Sequence, residues 1–183
     1  MLHEISSPLT KEMVKNLKAG DTVRINGTVY AARDAAHKKM IELLNKGMEL
    51  PFDVRGQIIY YVGPCPEREG QVIGSAGPTT SSRMDAYAPA LIELGLLGMI
   101  GKGLRNDKVI EAMKTHSAVY LGAIGGAGAL TANCIVGQEI IAFPELGPEA
   151  LRKLQVKDFE TVVIIDSYGT NLYEIGRKKY NRA

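Results

Sequence analysis

Short apolar runs, each bounded by glycine or proline, constrain this chain more than any other feature. QIIYYV (57–62) is apolar after its first residue and reads as a buried strand. QVIGSAG (71–77) reads as a second, short strand, LLGMIGKG (96–103) as a strand and turn, and AVYLGAIGGAGAL (118–130) as a strand running into a small-residue loop. EIIAF and TVVIIDS (161–167) are further strands, with PEALRKL (148–154) between them as a helix. Glycine occupies 20 of 183 positions, so the fold needs many tight turns or close backbone approaches.

Helical patterns alternate with these runs. Residues 11–19 form a short helix or turn ended by Gly20. Asp34 is the expected N-cap of AAHKKMIELLNK, in which Met40, Ile41, Leu43 and Leu44 share a side and Gly47 takes the position after the helix. RMDAYAPALIELG is helix-like but must kink or restart at Pro89, and NDKVIEAMKTH (106–116) is a helix capped by Asn106 or Asp107. In DTVRINGTVYAAR, Asn26-Gly27 between β-branched residues predicts a hairpin whose second strand is Thr28 to Ala32. YGTN is a turn, and Arg177, Lys178, Lys179 and Arg182 make a solvated basic end. The expected class is α/β, a mixed sheet in a single domain over residues 1–183, without repeats or linkers.

Bulk properties exclude several functions. With 22 basic and 20 acidic residues the net charge is +2, too weak for a nucleic-acid or acidic-membrane partner, and the absence of tryptophan leaves few base-stacking platforms. Cys65 and Cys134 are too far apart in sequence for a disulfide framework or a metal quartet, so no metal site is expected on this chain. No apolar run is long enough to span a membrane and the N-terminus lacks the apolar centre of a signal peptide, so a cytoplasmic location is expected. His3, His37 and His116 read as surface or capping histidines, Cys65 as exposed and Cys134 as core. GAIGGAGAL does not hold dinucleotide-binding spacing, and close packing, or backbone contact with a partner, explains its small residues better.

Three cations stand at strand ends or helix starts: Arg33 beside Asp34, Arg83 after GPTTSS, and Lys102 in Gly-Lys-Gly. Helix starts offer free N–H groups and partial positive charge, and a guanidinium adds a planar fork that matches a carboxylate. Alone, an arginine at a helix start is usually a surface residue, and Gly-Lys-Gly is usually just a turn. Their coincidence with adjacent hydroxyls points to an anion, and if the three turns share a sheet edge, to a small dicarboxylate.

GPTTSSRMD (77–85), followed by GMIGKG and preceded by YAARDAAHKK, resembles the β part of the iron–sulfur hydro-lyases of the class I fumarase and L-tartrate dehydratase family, over nearly the whole chain. The resemblance implies a swivelling β/β/α fold and, in split members, a separate subunit that pairs with a larger α subunit, as α2β2 or with β–β contacts. It implies a 4Fe-4S cluster held by three cysteines of that α subunit, with one iron open to substrate. On this side it implies Arg33 and Arg83 as the carboxylate clamp with Thr80, Lys102 as a catalytic cation, and Thr79 as the base, with Thr80 second. A threonine can act so only if cations lower its pKa and stabilise the dianionic intermediate. Many members carry Ala-Gly or Ser-Gly where this chain has Ser81-Ser82. The implied activity is reversible hydration of fumarate to L-malate. The alternatives are an L-tartrate or mesaconate-type dehydratase, or a non-catalytic anion-binding assembly subunit.

Overall fold

The computed structural model describes residues 1–181, so Arg182 of the expected basic end lies outside the described residues. Five strands run parallel in chain order: β1 (Leu2–Ser6), β2 (Thr22–Ala31), β3 (Ile58–Tyr60), β4 (Gly98–Gly101) and β5 (Val119–Gly122). Two more, β6 (Ile135–Ala142) and β7 (Leu151–Ile165), join antiparallel, giving the sheet order β1-β2-β3-β4-β5-β7-β6. The 15-residue β7 also pairs antiparallel with β2 along nearly its whole length. The pairings β2–β3–β4–β5–β7–β2 therefore close on themselves. The sheet is mixed and the chain α/β, as expected.

Alternate residues explain why the strand sequences are continuously apolar. Ile58, Tyr60, Val119 and Leu121 pack on one face with Val23, Ile25 and Phe159. Ile59, Met99 and Tyr120 pack on the other with Met40, Leu91, Val109 and Met113 from the helices. A sheet buried on both faces has no polar alternation to show.

The helices are α1 (Lys11–Asn16), α2 (Asp34–Asn45), α3 (Ala88–Glu93), α4 (Asp107–His116), α5 (Gly128–Asn133) and α6 (Leu172–Tyr180). Asn106 caps α4, its side chain accepting the Val109 N–H at 3.0 Å. Gly47 follows α2 with φ +70°, as expected of a residue past a helix end. Pro89 restarts the chain: Ser81–Met84 is a 3-10 turn and α3 begins afresh with the proline in its first turn. Arg177, Lys178 and Lys179 lie in the last turn of α6, where cations complement the helix dipole.

The cap of α2 differs from expectation. Arg33 holds the capping position with an extended backbone and its carbonyl takes the His37 N–H at 2.9 Å, so Asp34 is the first helical residue. Its carboxylate still favours the N-terminal dipole.

Three further local expectations are corrected. Asn26-Gly27 makes a bulge, not a hairpin: Gly27 takes φ +95°, the register with β7 shifts there, and the Asn26 side chain accepts the Asp158 N–H at 2.9 Å across the pair. A left-handed residue serves a bulge as readily as a turn. Residues 71–77 form no strand, because their backbone bonds their own loop (Cys65 N–H to the Ser75 carbonyl, 2.9 Å) and α5 (Ala76 N–H to the Gly128 carbonyl, 3.0 Å). Residues 148–154 do not form a helix. A 3-10 segment, Pro144–Glu149, is kinked at Gly147 (φ +58°) just before Pro148, and Leu151 starts β7. Leu151 and Leu154 are buried in opposite clusters, which a pleated strand permits and one helix face does not.

Candidate functional site

Parallel strands bring their carboxyl ends to one edge, and the loops that follow those strands gather there. Arg33 follows β2, the 63–80 loop follows β3, Lys102 follows β4 and the glycine-rich 123–127 loop follows β5. The backbone ties these turns together. Thr79 N–H donates to the Tyr61 carbonyl at 2.8 Å, and Ser81 N–H donates to the Lys102 carbonyl at 2.9 Å. Thr80 and Lys102 form an isolated parallel bridge. The structure thus places Thr79, Thr80, Arg83 and Lys102 on two adjacent turns. Lys102 reaches over the β5 loop: a Cβ on Gly125 would stand 3.8 Å from its Nζ. Gly128 needs its lack of a side chain, since a Cβ there would be 2.9 Å from the Gly77 nitrogen. That is the close packing expected of the small-residue loop.

Arg83 and Lys102 are exposed, and among the described residues neither has an ion-pair partner. Arg33 is different. It packs over Gly63, where a Cβ would meet its Cδ at 3.0 Å, and its Nη2 contacts Glu149 at 3.2 Å and Asp34 at 3.5 Å. Its buried Nε has no partner among the described residues. Sequence reading had no signal for Glu149, which arrives from 116 residues away.

Beneath this edge lies a polar layer that sequence reading missed. The Arg105 side chain has no exposure; its Nε donates to Asp85 at 2.6 Å, and the other Asp85 oxygen accepts the Asn106 N–H at 2.7 Å. The guanidinium lies 5.3 Å from the Tyr61 ring and 5.1 Å from the Tyr120 ring. Tyr120 O–H donates to the Gly103 carbonyl at 3.0 Å, which leaves the Ser81 hydroxyl to donate to the Tyr120 oxygen at 2.9 Å. Asp85 stands in the quoted RMD segment, but an acid two residues after an arginine carries no sequence mark of a buried partner.

His37 is not a surface or capping histidine. It is fully buried, its Nδ1 bonds the Arg33 carbonyl at 2.8 Å, and it meets Tyr61 edge-on. A carbonyl only accepts, so Nδ1 carries the proton and Nε2, which has no partner among the described residues, is bare. Burial first, and then the Arg105 charge, push its pKa from 6.5 down to about 4, against opposing pulls from the Arg33 carbonyl and Asp34. The neutral ring therefore stabilises the fold fully above pH 6.5, and that contribution is lost as pH falls toward 4. Asp21, held near 2 chiefly by the N-terminal ammonium, and Asp53, held near 2 by Arg55, act in a separate window below 3.8. Urea midpoints of the wild type are expected to fall between pH 6.5 and 4 by roughly 3 kcal/mol in unfolding free energy. His37→Phe should flatten that slope, and an unchanged slope would assign the acid sensitivity elsewhere.

Among the described residues, no three His, Cys, Asp or Glu side chains are grouped to hold a metal. Cys65 is exposed and Cys134 partly buried, both free thiols, so this chain's residues do not fit a 4Fe-4S cluster. Cys134 packs against the core from its margin, and burial raises its pKa. No helix among the described residues is long and apolar enough to cross a membrane.

A family model described as "Fumarase C-terminus" matches residues 2–176. The chain belongs to the fumarase C-terminus family. A fumarase C-terminus relative in Geobacillus stearothermophilus, provisionally named fumarate hydratase class I, is 42% identical over 175 residues, covering 93% of this chain and 33% of its own. The aerobic class I fumarate hydratase of Escherichia coli is 40% identical over 152 residues, covering 82% of this chain and 28% of its own. The provisionally named L(+)-tartrate dehydratase subunit beta of Methanocaldococcus jannaschii is 40% identical over 181 residues, 95% of this chain and 93% of its own. The chain thus spans about a third of the length of the first relative and nearly all of the last.

Proposed function

We propose that residues 1–183 form the β component of a hydro-lyase that interconverts fumarate and L-malate, active only when a larger α component closes the site. The observation that carries this reading is the carboxyl edge of the parallel strands, where Arg83 and Lys102, two cations without acidic partners among the described residues, flank the Thr79–Thr80 turn. The likeness to fumarate hydratases supports it. In this proposal the 4Fe-4S cluster belongs to the α component, assembled as α2β2. The sheet buried on both faces is consistent with the β/β/α layering of a swivelling domain. The free thiols suit the reducing cytoplasm.

Each residue then has a task. Arg83 grips one substrate carboxylate through its planar fork, helped by the Thr80 hydroxyl. Arg33 offers its charge and its Nη1 hydrogens to the second, while Glu149 and Asp34 hold Nη2 in place. In the direction of dehydration the C3–H bond of malate breaks, its electron pair becomes the C2=C3 bond, and hydroxide leaves C2. Thr79, deprotonated to the alkoxide under the influence of Arg83 and Lys102, takes the C3 proton and becomes the neutral hydroxyl. Lys102 stabilises the negative charge that builds before hydroxide departs.

A second reading, L-tartrate dehydratase, is favoured by the match to nearly the full length of the archaeal subunit. Both are tested by anaerobic co-expression with the α partner, cluster reconstitution, and assay of fumarate, L-tartrate and mesaconate, with each component alone as control. Fumarate turnover by the mixture alone is the expected result. Tartrate or mesaconate turnover would keep the site and change the substrate. A cluster-loaded complex inactive on all three would leave a non-catalytic anion-binding subunit.

A further inference from the structure

We propose that the buried Asp85–Arg105 pair is a positioning device that sets the Arg83 turn and the Lys102 turn at their working separation. The inference rests on the reading of that edge as the active site. Asp85 lies two residues after Arg83 and Arg105 three after Lys102, so the pair clamps the two turns from below. The Asp85 carboxylate is shared between the Arg105 Nε and the backbone N–H of Asn106, which fixes the guanidinium and the start of α4 together. Arg105 lies against the ring of Tyr61, whose carbonyl holds Thr79, and of Tyr120, whose hydroxyl links Ser81 to Gly103. One buried side chain thus touches the supports of Thr79, of the Arg83 turn and of Lys102.

Stability alone does not account for the pair. Taking both charges out of water costs about as much as their attraction returns, and an apolar pair of similar volume commonly serves a core as well. Among the described residues Arg105 Nη2 lacks a partner and Nη1 has only the Met99 sulfur, at 3.4 Å, so its hydrogen bonding there is incomplete. What an apolar pair could not supply is the fixed angle between two turns. Reacting groups displaced by about 1 Å can lose about 100-fold in rate.

The test replaces both charges at once, with Asp85→Leu and Arg105→Met together, in the cluster-loaded complex. The expected result is a folded, assembled enzyme with kcat lowered about 30-fold and KM for fumarate changed less than about threefold. Asp85→Asn should fall between the double variant and the wild type. Tyr120→Phe, which cuts the Ser81–Gly103 link without burying a charge, should lower kcat about tenfold and serves if the double variant does not fold. A folded double variant, or failing that a Tyr120→Phe enzyme, with wild-type kcat overturns the proposal. A wild-type complex inactive on every dicarboxylate would overturn the functional reading instead. The positioning is then read by amide exchange in the assembled complex: faster exchange at Thr79 and Ser81 in the double variant supports it, and unchanged protection overturns it.

Discussion

Replacing Arg83 by methionine is expected to lower fumarate turnover by about 10² to 10³-fold while leaving the complex assembled. A guanidinium aimed at a carboxylate whose charge persists through the reaction contributes on the scale of an oxyanion-hole donor, and its loss costs about that factor. The fold should not register the change, because Arg83 is exposed on a 3-10 turn. Arg83→Lys should recover little, since an ammonium is a point charge without the two-pronged geometry. Gel filtration of the complex, its melting temperature and steady-state kinetics on one preparation decide it. Turnover within threefold of wild type would remove Arg83 from the site. Loss of the complex would give it a role in assembly.

Gly101→Ala should damage both stability and turnover. Gly101 ends β4 in a buried position, and a Cβ there would overlap the Ser81 Oγ and stand 2.9 Å from Tyr61 Cδ2. Neither neighbour is the loose end of a flexible chain: Ser81 is bonded to Tyr120, and Tyr61 is fully buried beside Arg105. Overpacking of this kind costs about 1–3 kcal/mol, or several degrees of melting temperature in a chain this size. Relief of the overlap must part Ser81 from the strand, weakening the Ser81–Lys102 backbone bond, so turnover should fall at least about 30-fold. Gly137→Ala is the control, because a Cβ there meets Gln155 at an ordinary 3.5 Å. Wild-type kinetics in Gly101→Ala would show that the contact between the two turns does not matter to the reaction.

Legibility in the sequence followed the range of the interactions. α2 and α4 were readable because their caps and apolar spacing lie within one stretch of chain, and β3, β4 and β5 because burial on both faces leaves unbroken apolar runs. Asn26-Gly27 misled because the pattern records a left-handed backbone and not whether the chain turns back; β7, more than 120 residues on, decides that. Leu151 and Leu154 misled because their spacing suits a helix face, while the pairing of β7 with β2 and β6 places them on opposite sides of a strand. At the site, Thr79, Thr80, Arg83 and Lys102 were visible as cationic, hydroxyl-bearing turns, and the fold joins those turns by backbone bonds. Asp85, Arg105, His37 and Glu149 were not visible, since their partners are tertiary and burial leaves no mark on the letters D, R, H and E.

The circuit β2–β3–β4–β5–β7–β2 bears on how this edge would meet anything that covers it. An open sheet can change its twist when a neighbour presses on its rim. A closed ring of hydrogen-bonded strands can do so only by breaking a ladder. The loops rooted on it thus start from fixed anchor points, and the entropy of bringing those anchors together is spent when the chain folds and not when it associates. Association at this face should then resemble the docking of two preformed bodies, with the heat-capacity change set by the surface covered and not by ordering of the chain.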